Sequence, residues 1–451
     1  MIKDKIINRI YIKGNLLLIS PLILGCGEDE NSDIDLIRDW EGNTFIPASS
    51  IAGAIRNYMD SILEKDQPDR KKENEIIRSF FGEREKESHI SLITFYDSFP
   101  VNNLNIKLRD GVELNKIKRI AENKRKFEYE IIEPDAIFDF KCEITIREEH
   151  KEKKEQIDRI NHTIYLILNA LENGKIRFGA KTRRGFGELK LENCQILLLD
   201  MMKKDDTAKW FNFSWENSGN KKIEDFKNNS LSVNNELTKI EANFHIPYSI
   251  LIRHYSANPK DPDSVHLTCN ENSIIPGPSW AGLLRHTIFN IGRTINKENK
   301  VKRIVKEMFG FVDETEKDYL KKGKASRVIL NESIIKNGII IPYTRNKVDR
   351  FTGGVVDSAL FDEAPLYKGD LVLNIEIKDS KDYETGLILL ALKDIGNGIS
   401  PVGGGVNIGR GILELKGIKI NGNPFELDKN SEKYFKELAV ELSEGSEKSV
   451  T

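Results

Sequence analysis

Cysteine is scarce. The chain of 451 residues has four, Cys26, Cys142, Cys194 and Cys269, and no two form a CxxC pair. That argues against a zinc knuckle and against a disulfide framework, and it points to a reducing compartment. Long apolar runs are missing as well: none approaches the ~20 residues of a membrane span. The N-terminus, MIKDKIINRIYIKGN, lacks the apolar core of a secretory signal, so a cytoplasmic protein is expected. Histidine occurs seven times, with no close pair and no repeated position. No nucleophile elbow, metalloprotease helix or Ser–His–Asp signature appears. An excess of charge of one sign is also lacking, since 69 Lys and Arg face 71 Asp and Glu, a net charge of −2. That balance says nothing about partners, because a basic groove can be offset by an acidic outer face.

What the chain does have is repetition. Residues 46–59 read IPASSIAGAIRNYM and residues 275–288 read IPGPSWAGLLRHTI, an offset of 229. RGFGELK at 184–190 and RGILELK at 410–416 pair at an offset of 226, which equates Arg184 with Arg410. Two matches at nearly one spacing indicate a domain copied in series. The expected division is a first domain at 1–199, a junction at 200–237, a second domain at 238–425 and a C-terminal tail at 426–451. Two tryptophans in the junction suggest that part of it packs.

Each copy reads as β-α-β-excursion-β-α-β. Copy one has strands at 10–20, 90–97 and 136–146, helices at about 50–63 and 154–172, and a last strand after a glycine-rich loop. Residues 65–87 read as a charged loop. The excursions, 107–135 and TRNKVDRFTGGVVDSALFDEAPLYKGD, read as hairpins. The order is that of a split βαβ, ferredoxin-like α+β sandwich, whose sheet keeps one face free unless something covers it.

Three features carry chemistry. Gly179-Ala-Lys181-Thr-Arg183-Arg184-Gly185-Phe-Gly187 places three cations among three glycines. Glycines admit a phosphate close to the backbone and cations neutralise it. A tight turn with solvated charges reads equally well for one such loop. The second, with Gly403, Gly404, Gly405, Gly409, Arg410 and Gly411, favours the phosphate reading by recurrence. Neither is a Walker loop, because GK[ST] is absent, nor a Rossmann fingerprint, because each precedes a last strand. The helix after IPxxS is the second feature: Ser49 and Ser50 are natural N-caps, Ser279 is the counterpart, and the free N–H groups favour a phosphate. Arg56 and Arg285 share a place two turns in. The third is an acidic loop, Glu28 to Asp39, in which Asp33 and Asp35 point to one side of an extended backbone. Asp261 and Asp263 precede Val265-His266 in copy two. His266 is the histidine nearest a candidate site; the others read as structural or surface residues.

Together, LIRDWEGNTFIPASSIAGAIRNY, VDRFTGGVVDSALFDEAPLYKGD with its ALF-x-E text, and KTRRGFGELK resemble the backbone subunits of type III CRISPR effector complexes. Those subunits belong to the RAMP superfamily and are built on ferredoxin-like (RRM-like) domains. A tandem fusion looks most like the double backbone protein of type III-D systems. The resemblance implies two such domains with inserted thumb hairpins, binding CRISPR RNA beside a large subunit, other RAMP proteins and a small subunit, with no membrane involved. It implies that complementary target RNA is cut near each guide kink, with Mg²⁺ or Mn²⁺. The catalytic and metal-holding residue falls on Asp33, with Asp35 next if the register slips. Asp263, then Asp261, are the carboxylates of copy two, where HLTC replaces LIRD. Guide contacts fall on Ser49, Ser50, Arg56, Lys181, Arg183, Arg184, Ser279, Arg285, Arg350, Phe351 and Arg410, with Phe127 a further stacking candidate in the first excursion. The competing expectations are a scaffold that binds RNA without cutting, and a metal-free guide-processing endoribonuclease.

Overall fold

A computed structural model describes all residues except 1–4, 26–33, 64–74, 83–89, 115–120, 152–153, 232, 234–235, 256–261, 313–322 and 444–451. Asp33 and Asp261 therefore lie outside the described residues. The chain forms two compact units. Unit 1 comprises Met1–Leu108, Glu128–Thr182 and Phe186–Asn235; unit 2 comprises Arg109–Phe127, Arg183–Gly185 and Glu236–Thr451.

Unit 1 is mixed α+β. Its strands are β1 (Ile6–Leu18), β2 (Ile93–Phe95), β5 (Ile137–Arg147) and β6 (Leu189–Asp200), antiparallel in the order β2-β5-β1-β6. Between β2 and β5 the chain leaves the sheet as the hairpin β3 (Ile106–Leu114) and β4 (Ala121–Ile132). Helices α1 (Ala48–Ile62), α2 (Glu75–Phe81) and α3 (Lys154–Glu172) contribute to its core. Sequence dictates this packing. Along β5 burial alternates residue by residue, and α1 buries Ile51, Ile55, Met59 and Ile62, one face at helical spacing. Helix α2 lies where the charged text suggests a loop. Ile77 and Phe80 hold it to the core, and Gly82, at positive φ, ends it.

Unit 2 repeats the plan. β7 (Leu237–His245), β10 (Val328–Leu330), β13 (Asp370–Lys378) and β14 (Glu414–Ile420) run in the order β10-β13-β7-β14, with β15 (Asn423–Phe425) added outside β14. The short strands β8 (Arg253–His254) and β9 (Ser264–His266) join the base of the hairpin β11 (Tyr343–Val348) and β12 (Val355–Ala364). Helices α5 (Gly277–Thr294), α6 (Glu298–Phe309) and α7 (Asp382–Gly396) match α1, α2 and α3. Trp280 of α5 is wholly buried and donates to the Ser333 hydroxyl.

Residues 200–231 pack within unit 1. Helix α4 (Lys204–Phe211) brings Trp210 to donate to the Tyr11 hydroxyl, and Phe213 stacks on the Tyr11 ring at 3.9 Å. Toward the C-terminus, α8 (Glu432–Ser443) buries Leu438 and Leu442 in the core of unit 2. Among the described residues, no helix is long and apolar enough to cross a membrane.

Candidate nucleic-acid interface

The two glycine-rich loops have one geometry, and it sets the register between the copies. In unit 1, Phe178 donates to Gly187 O, Gly187 to Pro21 O and Ala180 to Ile23 O. In unit 2, Val402 donates to Gly411 O, Gly411 to Ser249 O and Gly404 to Leu251 O. Gly187 and Gly411 both adopt positive φ, and a Cβ on either would sit 1.8 Å from the carbonyl oxygen of Phe178 or Val402. Glycine is obligatory there. This register equates Gly185 with Gly409 and Phe186 with Arg410. The pairing of Arg184 with Arg410 is therefore two residues out. The repeated RG text misleads because its glycine is Gly185 in one copy and Gly411 in the other, and only backbone conformation tells them apart.

The corrected register accounts for Arg410. It is 2% exposed and makes a 2.8 Å ion pair with Glu363, which is also buried. Its counterpart Phe186 is buried and stands edge-on to Tyr129 at 6.3 Å. Leu22 bridges Ile132 as Ile250 pairs with Leu366, which makes Tyr129 the counterpart of Glu363. One copy fills this place with two rings, the other with an ion pair.

Glu363 is outnumbered. Besides Arg410, Arg253 and Arg345 each approach its carboxylate to 3.8 Å, and Arg345 donates to the Tyr343 hydroxyl. Burial, with Arg253 adding to it, pushes the Arg410 guanidinium down from its ordinary pKa. Three guanidinium groups around one carboxylate leave a surplus of positive charge beside Gly404, whose added Cβ would lie 3.1 Å from Arg253 Nε. Sequence reading missed Arg253 and Arg345. Neither stands in a repeated motif, and only the β8-β9-β12-β11 sheet brings them to Glu363.

Other cations stand at the first loop. In unit 1, Lys181 adopts a left-handed backbone, and its Nζ sits 3.3 Å above the Tyr129 ring. Arg183 and Arg184 belong to unit 2. There, burial and then Arg184 push Arg285 down to about 10, and burial and then Arg183 lower Lys378. Arg285 also donates to Phe309 O at 2.7 Å. Its counterpart Arg56 is half-buried.

The helix starts differ from expectation. Pro47 and Pro276 are the N-caps, and no side chain of Ser49, Ser50 or Ser279 caps a helix. In unit 1 the Asp97 carboxylate accepts from Ala48 N at 2.7 Å. A carboxylate at the start of α1 satisfies the very donors that a phosphate would use. Ser49 remains exposed at the second helical position, with Ser50 and Ser279 partly covered.

The described residues that follow the acidic text, Ile34 and Ser264, meet the hairpins. Ile34 bridges Tyr129 in parallel, as Ser264 pairs with Glu363. Asp263 thus precedes Ser264 as Asp33 precedes Ile34 in sequence. Asp263 is exposed, and its Oδ2 accepts from Asp362 N at 3.0 Å. Asp35 is buried and corresponds to Val265. Nearby, Arg38 reaches both oxygens of Glu130 at 2.9 Å. Burial raises the Glu130 carboxyl, but Arg38 and the Leu36 amide outweigh it and hold it below the usual range. His266 is no acid–base group. Its Nδ1 accepts from Ile252 N, its Nε2 faces Ile274 O, and burial pushes its pKa down to about 4.

The hairpin tips differ too. Phe351 is 98% exposed, next to exposed Arg350. Asp349 fixes that turn by accepting from Phe351 N and Thr352 N. Phe127 instead lies against Gly111, where an added Cβ would come within 2.3 Å of its ring. Among the described residues, no group of three or more His, Cys, Asp or Glu could hold a metal ion.

Two α+β units share one strand order and close the same glycine loop, beside three arginines in unit 2 and beside Lys181 in unit 1, an arrangement suited to a polyanion. The family model of the RAMP superfamily matches residues 15–190 and 207–414, once in each half. The chain belongs to the RAMP superfamily, as a tandem fusion, and membership implies a CRISPR-associated RNA-binding role with CRISPR RNA and complex proteins as partners. No curated protein matches the chain.

Proposed function

We propose that this chain is a guide-RNA-binding backbone subunit of a type III CRISPR interference complex, and that it cuts guide-paired target RNA with divalent-metal dependence. Each unit is read as a ferredoxin-like domain, supported by the shared strand order and its two crossover helices. The observation that carries the reading is the surplus of guanidinium charge at the second glycine loop, Arg253, Arg345 and Arg410 around Glu363, matched at the first loop by Lys181. Clustered cations beside a backbone that admits close approach suit a phosphate chain. The exposed Phe351, on a turn fixed by Asp349, suits the insertion of a ring between bases.

For cleavage, Asp33 and Asp263 are the carboxylates. Asp263 is exposed at the base of the hairpin, with its Oδ2 held by the Asp362 amide. A carboxylate so held can take the proton of a target 2′-hydroxyl. The 2′-oxygen then bonds to phosphorus, the bond to the 5′-oxygen breaks, and that oxygen takes a proton from solvent water, leaving a 2′,3′-cyclic phosphate and a 5′-hydroxyl. The donor set fits a hydrated Mg²⁺ held by one carboxylate and substrate phosphates, since among the described residues no group of carboxylates, His or Cys forms an all-protein centre. Such an ion, when bound, neutralises the charge growing on the phosphoryl oxygens.

Cleavage mapping tests this. The assembled complex, given guide-matched target RNA and Mg²⁺, is expected to lose one product with Asp33→Ala, another with Asp263→Ala, and both with the double variant. Identical products from all four proteins would leave the chain a non-catalytic scaffold.

A further inference from the structure

A turn in unit 1 presents a tryptophan that the scaffold does not require. The chain doubles back over residues 38–44, where Arg38 bridges Thr44. Asp39 N donates to Asn43 O at 2.9 Å, and Gly42 N to Asp39 O at 3.1 Å. The Asp39 carboxylate accepts from Glu41 N at 2.9 Å and from Asn43 N at 2.8 Å. Backbone and side chain together therefore fix this turn, and at its tip Trp40 is 91% exposed. The matching turn of unit 2 joins Thr268–Cys269 to Asn272–Ile275 through Asn270 and Glu271, both at positive φ. It closes the same hairpin without an aromatic residue.

The ladder below the turn is apolar as well. Ile46 exchanges backbone hydrogen bonds with Ser98, at 2.9 Å each way. Beside them Phe45 stacks on Phe99 at 5.4 Å, and Phe99 and Val101 are exposed. Charge decides what such a surface can meet. Within residues 38–48 and 96–101 the carboxylates are Asp39, Glu41 and Asp97, and the cation, Arg38, is spent on Glu130. Aromatic platforms for single-stranded RNA sit in basic grooves, and this turn would repel a phosphate chain.

We propose that the 38–44 turn docks another protein subunit of the complex, with Trp40 filling an apolar pocket whose rim carries Lys or Arg to face Glu41. A turn fixed before docking loses little freedom on binding, and tryptophan is a frequent anchor of protein interfaces. The proposal rests on membership of the RAMP superfamily, which implies protein partners, and not on the guide-binding or cleavage reading.

The test replaces Trp40 with p-benzoylphenylalanine in the full chain, assembles the complex and irradiates it. A cross-link to another protein subunit is expected, at apolar residues flanked by Lys or Arg. That subunit, purified, is then titrated against the full chain. Trp40→Ala should weaken its binding about thirtyfold or more, with thermal unfolding of the chain unchanged. Glu41→Lys should weaken it about fivefold, an effect that fades at high salt. A cross-link to RNA or to a second copy of this chain, or no cross-link, would overturn the proposal. So would a subunit that binds Trp40→Ala and Glu41→Lys as tightly as wild type. Neither substitution should change guide RNA binding, so a loss there would also count against a protein-docking turn.

Discussion

The two units share a scaffold and differ in how they fill it. Where unit 1 buries Tyr129 against Phe186, unit 2 buries Glu363 against Arg410. Where unit 1 covers its free sheet face with Phe213 and Trp215, unit 2 leaves that face to surface ion pairs, Lys239 with Glu376 and Glu241 with Lys419. Duplication thus preserved what the backbone requires, the glycines and their carbonyl contacts, while side chains in the same places exchanged one kind of interaction for another. The exchange matters for function. A ring pair is neutral and inert, whereas an ion pair drawn from three arginines leaves charge for an anion.

The largest effect is expected from breaking the ion pair. Glu363→Leu strands the buried Arg410 and should cost unit 2 about 4 kcal/mol in denaturant unfolding. Importing the unit 1 solution, Glu363→Tyr with Arg410→Phe, should recover most of that loss. No recovery would mean the two sites are not equivalent. Next, Gly187→Ala and Gly411→Ala should each cost roughly 3 kcal/mol or more, since both meet a carbonyl at positive φ. Gly409→Ala, with positive φ but nothing within 4 Å, should cost only about 1 kcal/mol. Equal costs at Gly409 and Gly411 would break the proposed register.

A pH effect separates the units further. His266 is neutral when folded, with its pKa pushed down to about 4, and its unfolded value is the ordinary one near 6.5. A depressed pKa means that the unfolded chain binds the proton first. The contribution of this group is whole above about 6.5 and lost as pH falls to about 4, roughly 3 kcal/mol in all. Leu36 holds the matching place in unit 1, so His266→Leu should flatten the acid limb of unit 2 unfolding. A slope left unchanged by that variant would contradict the assignment. The smallest effects concern RNA. Lys181→Ala and Arg253→Ala should each weaken guide binding by up to about tenfold and lower the salt slope by about one.

Much of this was legible in the text of the chain. The duplication, the strand and helix order, α3 at 154–172 and the glycine loops all follow from local patterns, because period, turn residues and repeats are written in consecutive residues. What escaped depends on distance in sequence. Helix α2 hides in a charged run, since only Ile77 and Phe80 mark its buried face. The Asp97 cap comes from a strand end far from α1. Arg253 and Arg345 meet only through β9 and β12. Arg410 read as a phosphate ligand because its neighbours are glycines, but the fold gives it the place of a buried phenylalanine. Phe351 and Phe127 looked alike as text, and burial alone divides them.

The most direct test of the paired cradles is a backbone footprint of guide RNA on the full chain. Two protected stretches are predicted. Lys181→Ala should erase one of them, and Arg253→Ala with Arg345→Ala the other. A single protected stretch, or one whose protection vanishes as a whole with either set of substitutions, would contradict two equivalent cradles.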